Sequence, residues 1–114
     1  MAKLEKDIRT DLSKLMAYLD RGILEGSVSA SLEDKSTLKS GCVTCEVRVY
    51  ERYSWLGNNR LSLSVTALDV GDGTVHLSAI TSGGSQAVLV KVNTFGESNF
   101  LEAFRNVLDN YQKF

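Results

Sequence analysis

The tightest constraint on this chain is a change of hydrophobic period along its length. Leu4, Ile8, Leu12, Leu15 and Leu19 recur at steps of three and four, as do Phe100, Phe104, Val107, Leu108 and Tyr111. Between these segments the stretch Leu61-Ser62-Leu63-Ser64-Val65-Thr66-Ala67 steps by two. A three-to-four step lays an apolar stripe on one side of a helix, whereas strict alternation buries one face of a strand. The pattern predicts an α+β domain with helices at both ends and antiparallel strands between them.

In detail, the periodicity predicts a first helix from Ala2 to Asp20, ended by Gly22. Strands are expected from Gly26 to Glu33, Cys42 to Trp55, Arg60 to Val70, Thr74 to Ser82 and Ser85 to Val92. A second helix is expected from Glu97 almost to the C-terminus, with Asn93 to Gly96 as the corner before it and Thr94 and Glu97 spaced as a capping box. Asp34 to Gly41 reads as a polar loop. With no proline in the chain, its turns must be shaped by Gly, Asn, Asp and Ser.

Turn chemistry fixes an expected register. Three-residue loops at Gly57-Asn58-Asn59 and Gly71-Asp72-Gly73 pair Tyr53 with Leu63 and Val65 with Ala79. A two-residue turn at Gly83-Gly84 pairs Ala79 with Val88. All three put apolar side chains on one common face. The expectation is a two-layer α+β fold: a five-stranded antiparallel meander, order 1-2-3-4-5, with both terminal helices on one face, filling residues 1–114 as a single domain.

Composition narrows the function classes. A net charge of -1 over 114 residues leaves no basic footprint for nucleic acid or an anionic membrane. No apolar run approaches the roughly 20 residues a membrane-spanning helix needs. The charged N-terminus lacks the apolar core of a secretory signal, so a cytoplasmic location is expected. Cys42 and Cys45 are spaced as CxxC, but alternation sends positions three apart to opposite faces of a strand. They are therefore expected as two free thiols, Cys45 inside and Cys42 outside, without a metal. No phosphate-binding loop, dinucleotide fingerprint or Ser/His/Asp order is present, and neither cofactor nor metal is expected.

Two constellations are candidates for function. The first is the sheet face away from the helices, expected to carry Ser27, Ser29 and Ser31, then Thr44, Glu46, Arg48 and Tyr50, then Ser62, Ser64 and Thr66, then Thr74, His76 and Ser78. Such a face is either solvated, as in many antiparallel sheets, or a flat docking surface for a protein partner or a second copy. Arg48, Tyr50, Ser62, Ser64 and His76 are its candidate contact residues. The second is Glu51, which alternation places on the apolar face. There it either escapes to solvent through a bulge or joins Tyr53 and Trp55 in a pocket between helices and sheet for a small amphipathic ligand.

The segments Val47-Arg48-Val49-Tyr50-Glu51-Arg52-Tyr53-Ser54-Trp55 and Lys91-Val92-Asn93-Thr94-Phe95-Gly96-Glu97, running into Phe100-Leu101, resemble a family of small single-domain bacterial proteins catalogued as a domain of unknown function. The Thr-Phe-Gly-Glu ending before the last helix is also similar to lipoprotein-like bacterial domains with a TATA-binding-protein-like sheet-and-helix layout. Those usually carry a lipidated signal, which is not expected here. Neither resemblance implies an activity, substrate or cofactor. The functional expectation is a non-enzymatic binding or self-association module, a homodimer among its forms. It would use the Ser/Thr-rich face or an edge strand, free at an edge for want of proline. The alternative is a ligand carrier or sensor.

Overall fold

A computed structural model describes residues 2–26, 30–54, 59–83 and 90–112, the side chains of 26, 54, 59, 90–99 and 112 excepted. The elements in chain order are β1 (Ala2–Arg9), α1 (Leu12–Gly26), β2 (Ser31–Ser40), β3 (Val43–Ser54), β4 (Asn59–Asp69), β5 (Thr74–Gly83) and α2 (Val90–Gln112). The five strands form one antiparallel sheet in the order β1-β5-β4-β3-β2. Strands β2 to β5 are a meander, and β1 comes from the far end of the chain to pair along β5.

The core lies between the sheet and the two helices. Leu12, Leu15, Met16, Leu19 and Ile23 give α1 its buried stripe; Phe100, Leu101, Phe104 and Leu108 give α2 the same. Both stripes meet Leu61, Leu63, Val65 and Ala67 of β4 and Val75, Leu77 and Ala79 of β5. One face of the sheet is thus roofed by helices and the other is helix-free. Asp11 caps α1, its carboxylate accepting from the Lys14 amide at 3.0 Å. That satisfies one of the first-turn donors a helix cannot satisfy itself. Beside this cap, a hydrogen bond joins the hydroxyls of Thr10 and Tyr111, and the Tyr111 ring lies 4.9 Å from that of Tyr18.

Several expectations are corrected. Ala2 to Arg9 is a strand, and only Leu12 onward is helical. Leu4 and Ile8 are four apart, a spacing that serves a helix and a strand equally, and eight consecutive pairings to β5 favour the strand. Helix α1 passes through Gly22 to Gly26. The expected loop Asp34 to Gly41 is mostly strand β2; its polarity reflects an exposed edge rather than an absence of pairing. Val90 to Gly96 belongs to α2, so the expected strand does not continue through Val90–Val92 and no helix starts at Glu97. The rest of that strand, with the expected Ala79–Val88 pairing, falls outside the described residues. The fold is therefore α+β with five antiparallel strands, but it is not a simple meander.

The β4–β5 hairpin matches its predicted register, with Val65 opposite Ala79 and Ala67 opposite Leu77. Gly73 holds a φ of +83°, the left-handed backbone expected of that turn. At the other end of β5, Gly83 has φ +122°, and a Cβ there would lie 2.7 Å from the Arg60 carbonyl oxygen. Only glycine fits. The β3–β4 register differs from expectation. Leu63 pairs with Tyr50 rather than Tyr53, and Ser54 with Asn59. A displacement of three residues, an odd number, turns every β3 side chain to the opposite face.

Candidate interaction surface

That inversion decides where the candidate residues lie. Arg48 and Tyr50 are beneath the helices, not on the open face, and both are buried. Glu51 and Tyr53 are on the helix-free face, so they line no pocket between helices and sheet. Glu51 sits opposite Ser62 and pairs with Arg60 at 3.3 Å across the hairpin. Trp55 lies outside the described residues. Ser62, Ser64 and His76 are on the helix-free face as expected, at positions alternate to the buried Leu61, Leu63 and Val75. Cys45 is on that face too, not inside, and Cys42 is exposed; both are free thiols.

The polar group beneath the helices is a clamp. The Arg48 guanidinium donates to Glu46 at 2.9 Å and to Asp20 of α1 at 3.4 Å. The Tyr50 hydroxyl donates to the same Asp20 carboxylate. Thr37 of β2 donates to Glu46 at 2.7 Å. Arg48 is 7% exposed, so its charge depends on these carboxylates rather than on water. Burial alone would raise the Glu46 carboxyl, but the hydrogen bonds from Thr37 and Arg48 outweigh it and hold the group below the usual carboxylate range. Burial would lower the Arg48 guanidinium; Glu46 and Asp20 outweigh it and raise it. Burial, then the Asp20 carboxylate, push the Tyr50 hydroxyl far above the ordinary tyrosine range. Close by, the Arg52 guanidinium stacks 4.7 Å from the centre of the Phe100 ring, and burial lowers its pKa. Every partner is internal, so the clamp joins α1, β2 and β3.

The helix-free face is organised in rows across the strands. One row runs Lys3, Ile80, Ser64, Val49, Asp34; the next runs Glu5, Ser78, Thr66, Val47, Ser36; a third runs Asp7, His76, Leu68, Cys45, Leu38. Each begins with a charged residue on β1. Hydroxyls occupy much of the middle, and apolar groups gather toward β3 and β2. His76 meets Asp7 at 2.9 Å, pinning β1 to β5 across the face. Beside that pair lies a shallow concavity of about 330 Å³, to which Glu5, Thr66, Leu68 and Ser78 contribute. A second notch, about 150 Å³, opens at the β2 edge between Asp34, Lys35 and Ser36 on one side and Val47 and Val49 on the other. Among the described residues no group of three or more His, Cys, Asp or Glu side chains is placed to hold a metal, and no helix is long and apolar enough to cross a membrane.

Sequence reasoning missed Asp20, the residue to which Arg48 and Tyr50 both bind. Its position on the polar side of a long predicted helix gave no sign of a partner on β3. It also missed that the edge strand continues from Asp34 to Ser40, for want of alternation in Glu33-Asp34-Lys35-Ser36.

Fold and surface together define a small two-layer α+β domain in which one face of an antiparallel sheet is roofed by helices and the other left open. Over residues 1–112 the chain matches, and belongs to, a family of unknown function, DUF6054. No curated protein and no solved structure matches the chain, so the weaker likeness to TATA-binding-protein-like domains gains no support from the comparisons.

Proposed function

We propose that the protein is a non-enzymatic binding module that docks a protein partner on the helix-free face of its sheet. The observation that carries this reading is the distribution of chemistry over that face. Its middle holds Ser62, Ser64, Thr66 and Ser78, with Val47, Val49 and Leu68 beside them; apart from Glu51, which lies opposite Ser62 and pairs with Arg60, the long charged side chains stand at the margins. Lys3, Glu5, Asp7 and Arg9 stand along one margin, and Asp34 at the other. A face kept open only for solvent has no need to hold long charged side chains to so few positions near its centre. A small-residue and apolar centre inside a charged rim is the anatomy of a protein interface. Hydroxyls can be buried there at modest cost provided each finds a hydrogen-bond partner.

Nuclear magnetic resonance of isotopically labelled chain in an extract of cells that express it tests the reading. Resonances of Val47, Val49, Ser64, Thr66 and Leu68 should shift or broaden while those of Leu15 and Phe104 stay in place. The response should vanish in Thr66→Arg. Perturbation centred on α1 and α2, or indifference to Thr66→Arg, would remove the support for this face.

A further inference from the structure

Strand β4 is the middle strand of the five, with β5 and β1 on one side and β3 and β2 on the other. We propose that the partner held on the helix-free face is a second copy of this chain, packed face to face about a two-fold axis along β4. This rests on the binding-module reading and gives that face its occupant. The axis lays β1 over the second copy's β2 and β5 over its β3, so all five strands overlap. A two-fold axis carries no translation along itself. Each row across the strands therefore meets its own reversal, and the register has no free choice. Aligned sheets cross at about 30°, which displaces the marginal strands by less than the rise of two residues.

The face is complementary to itself under this axis. In the first row, Lys3 on β1 stands opposite the second copy's Asp34 on β2, twice by symmetry. Ile80 of the same row, an exposed large apolar side chain, stands opposite the second copy's Val49, at the notch on the β2 side. In the next row Glu5 meets Ser36 and Ser78 meets Val47. In the third, Leu38 lies over the concavity beside the second copy's His76 and Asp7. At 60% exposed, Leu38 is the most open large apolar side chain among the described residues. Knob and hollow lie at opposite ends of one row and are exchanged by the axis, as a closed two-fold interface requires. In these rows no like charges meet. Arg60, at the end of β4, falls near the axis but is neutralised by Glu51 of its own chain.

An axis across the strands would instead lay β1 on itself. At full overlap it sets Lys3 against Arg9 and Glu5 against Asp7, like charges in both cases. The charge order along the margins thus favours the axis along β4. On that axis β4 presents Ser64 and Thr66, small side chains that let the sheets approach. A hydroxyl both donates and accepts, so each can bond its counterpart. Five strands about 4.8 Å apart, with eight residues of β1 at about 3.4 Å each, give a face of about 650 Å² per copy. That is near the lower end of what a specific interface needs, and the hydroxyl-rich centre buries little hydrocarbon. The dimer is accordingly weak, with a Kd of about 100 μM, and the chain is monomeric when dilute.

Sedimentation equilibrium of the purified whole chain from about 10 μM to about 1 mM should show a reversible monomer–dimer equilibrium. Lys3→Glu should weaken dimerisation about tenfold, since two exposed pairs become repulsive. Asp34→Lys should do the same. The double variant Lys3→Glu with Asp34→Lys should restore it. Leu38→Glu, which sets a carboxylate against the second copy's Asp7, should abolish it over this range. Circular dichroism of each variant should match the parent, because Lys3, Asp34 and Leu38 are exposed. A chain monomeric throughout overturns the second copy as occupant. So does a dimer indifferent to these substitutions, or one that the double variant fails to restore. If the response in cell extract is then still lost in Thr66→Arg, the face binds a different protein and the binding-module reading stands. If extract also leaves the face untouched, both readings fall.

Discussion

The Tyr50 hydroxyl and the Asp20 carboxylate are hydrogen-bonded across the gap between β3 and α1. This contact gives the helix layer a polar anchor on β3, whereas β4 and β5 meet that layer through hydrocarbon. Asp20 also accepts from Arg48, so one carboxylate answers for two groups that are almost entirely out of water. The two ends of the hydrogen bond are therefore unequal. Tyr50→Phe removes one donor and leaves Asp20 its contact with Arg48 and partial access to solvent. It should cost about 1.5–3 kcal/mol, the worth of a hydrogen bond to a charged acceptor. Asp20→Ala leaves a buried hydroxyl unpaired and strips the guanidinium of one carboxylate, and should cost more, about 3–5 kcal/mol. Urea denaturation of both variants checks the order. Equal losses would mean that water replaces Asp20 freely.

The same clamp sets how stability depends on pH at both extremes. Glu46 is held below its ordinary range when folded. Its contribution is complete above about pH 5, where an unfolded glutamate is ionised, and is lost as pH falls through the lowered folded value. Tyr50 is shifted the other way. Above about pH 10 the unfolded chain ionises this tyrosine while the folded one keeps its proton. Stability should therefore decline as pH rises past that point. Denaturation across pH should show Glu46→Gln losing its deficit relative to the parent in acid, and Tyr50→Phe losing part of the alkaline decline. Parallel curves for parent and variants would show that neither group is coupled to folding.

The β4–β5 hairpin and the buried stripe of α2 from Phe100 to Leu108 were legible in the sequence because each carries one unambiguous signal. In the hairpin, alternation and Gly71-Asp72-Gly73 agree. In α2, the spacing from Phe100 to Leu108 is helical only. Three regions misled for physical reasons. Leu4 and Ile8 fit both periods, and the choice between them is made by β5, some seventy residues away. Strand β2 lacks alternation because from Glu33 to Ser40 both of its faces are exposed. On β3 the usual rule is reversed: Val47 and Val49 face outward, whereas Arg48 and Tyr50 go in because Asp20 and Glu46 await them. Apolar alternation identified that strand correctly and its direction wrongly. The candidate surface survived this error in its β4 and β5 portion, Ser62, Ser64 and His76, and failed in its β3 portion.

The two faces of the central hairpin should respond very differently to truncation. Leu63 is fully buried beneath both helices, and Leu63→Ala should cost about 2–5 kcal/mol. His76 is only half covered, and its pair with Asp7 is solvent-exposed. His76→Ala, like Glu51→Gln across from Arg60, should move stability by no more than about 0.5 kcal/mol. Thermal or urea denaturation of these three variants compares roofed and open faces directly. A loss of several kcal/mol at His76 would mean that the open face is covered in solution.

Gly22 tests the packing of the two helices. It lies within α1, where replacing glycine by alanine ordinarily stabilises by about 1 kcal/mol through backbone entropy. Here a Cβ would collide with the Val107 Cγ1 of α2. Val107 is itself packed against the core, so relieving the contact requires it to change rotamer or the helices to part. Overpacking of this kind costs about 1–3 kcal/mol, more than the propensity gain. Gly22→Ala should therefore destabilise the parent. In a Val107→Ala background the obstructing methyls are gone and the propensity gain should appear, reversing the sign of the same substitution. A double-mutant cycle by urea denaturation isolates that coupling. If Gly22→Ala stabilises both backgrounds alike, α1 and α2 do not approach as closely as their Gly22–Val107 contact requires.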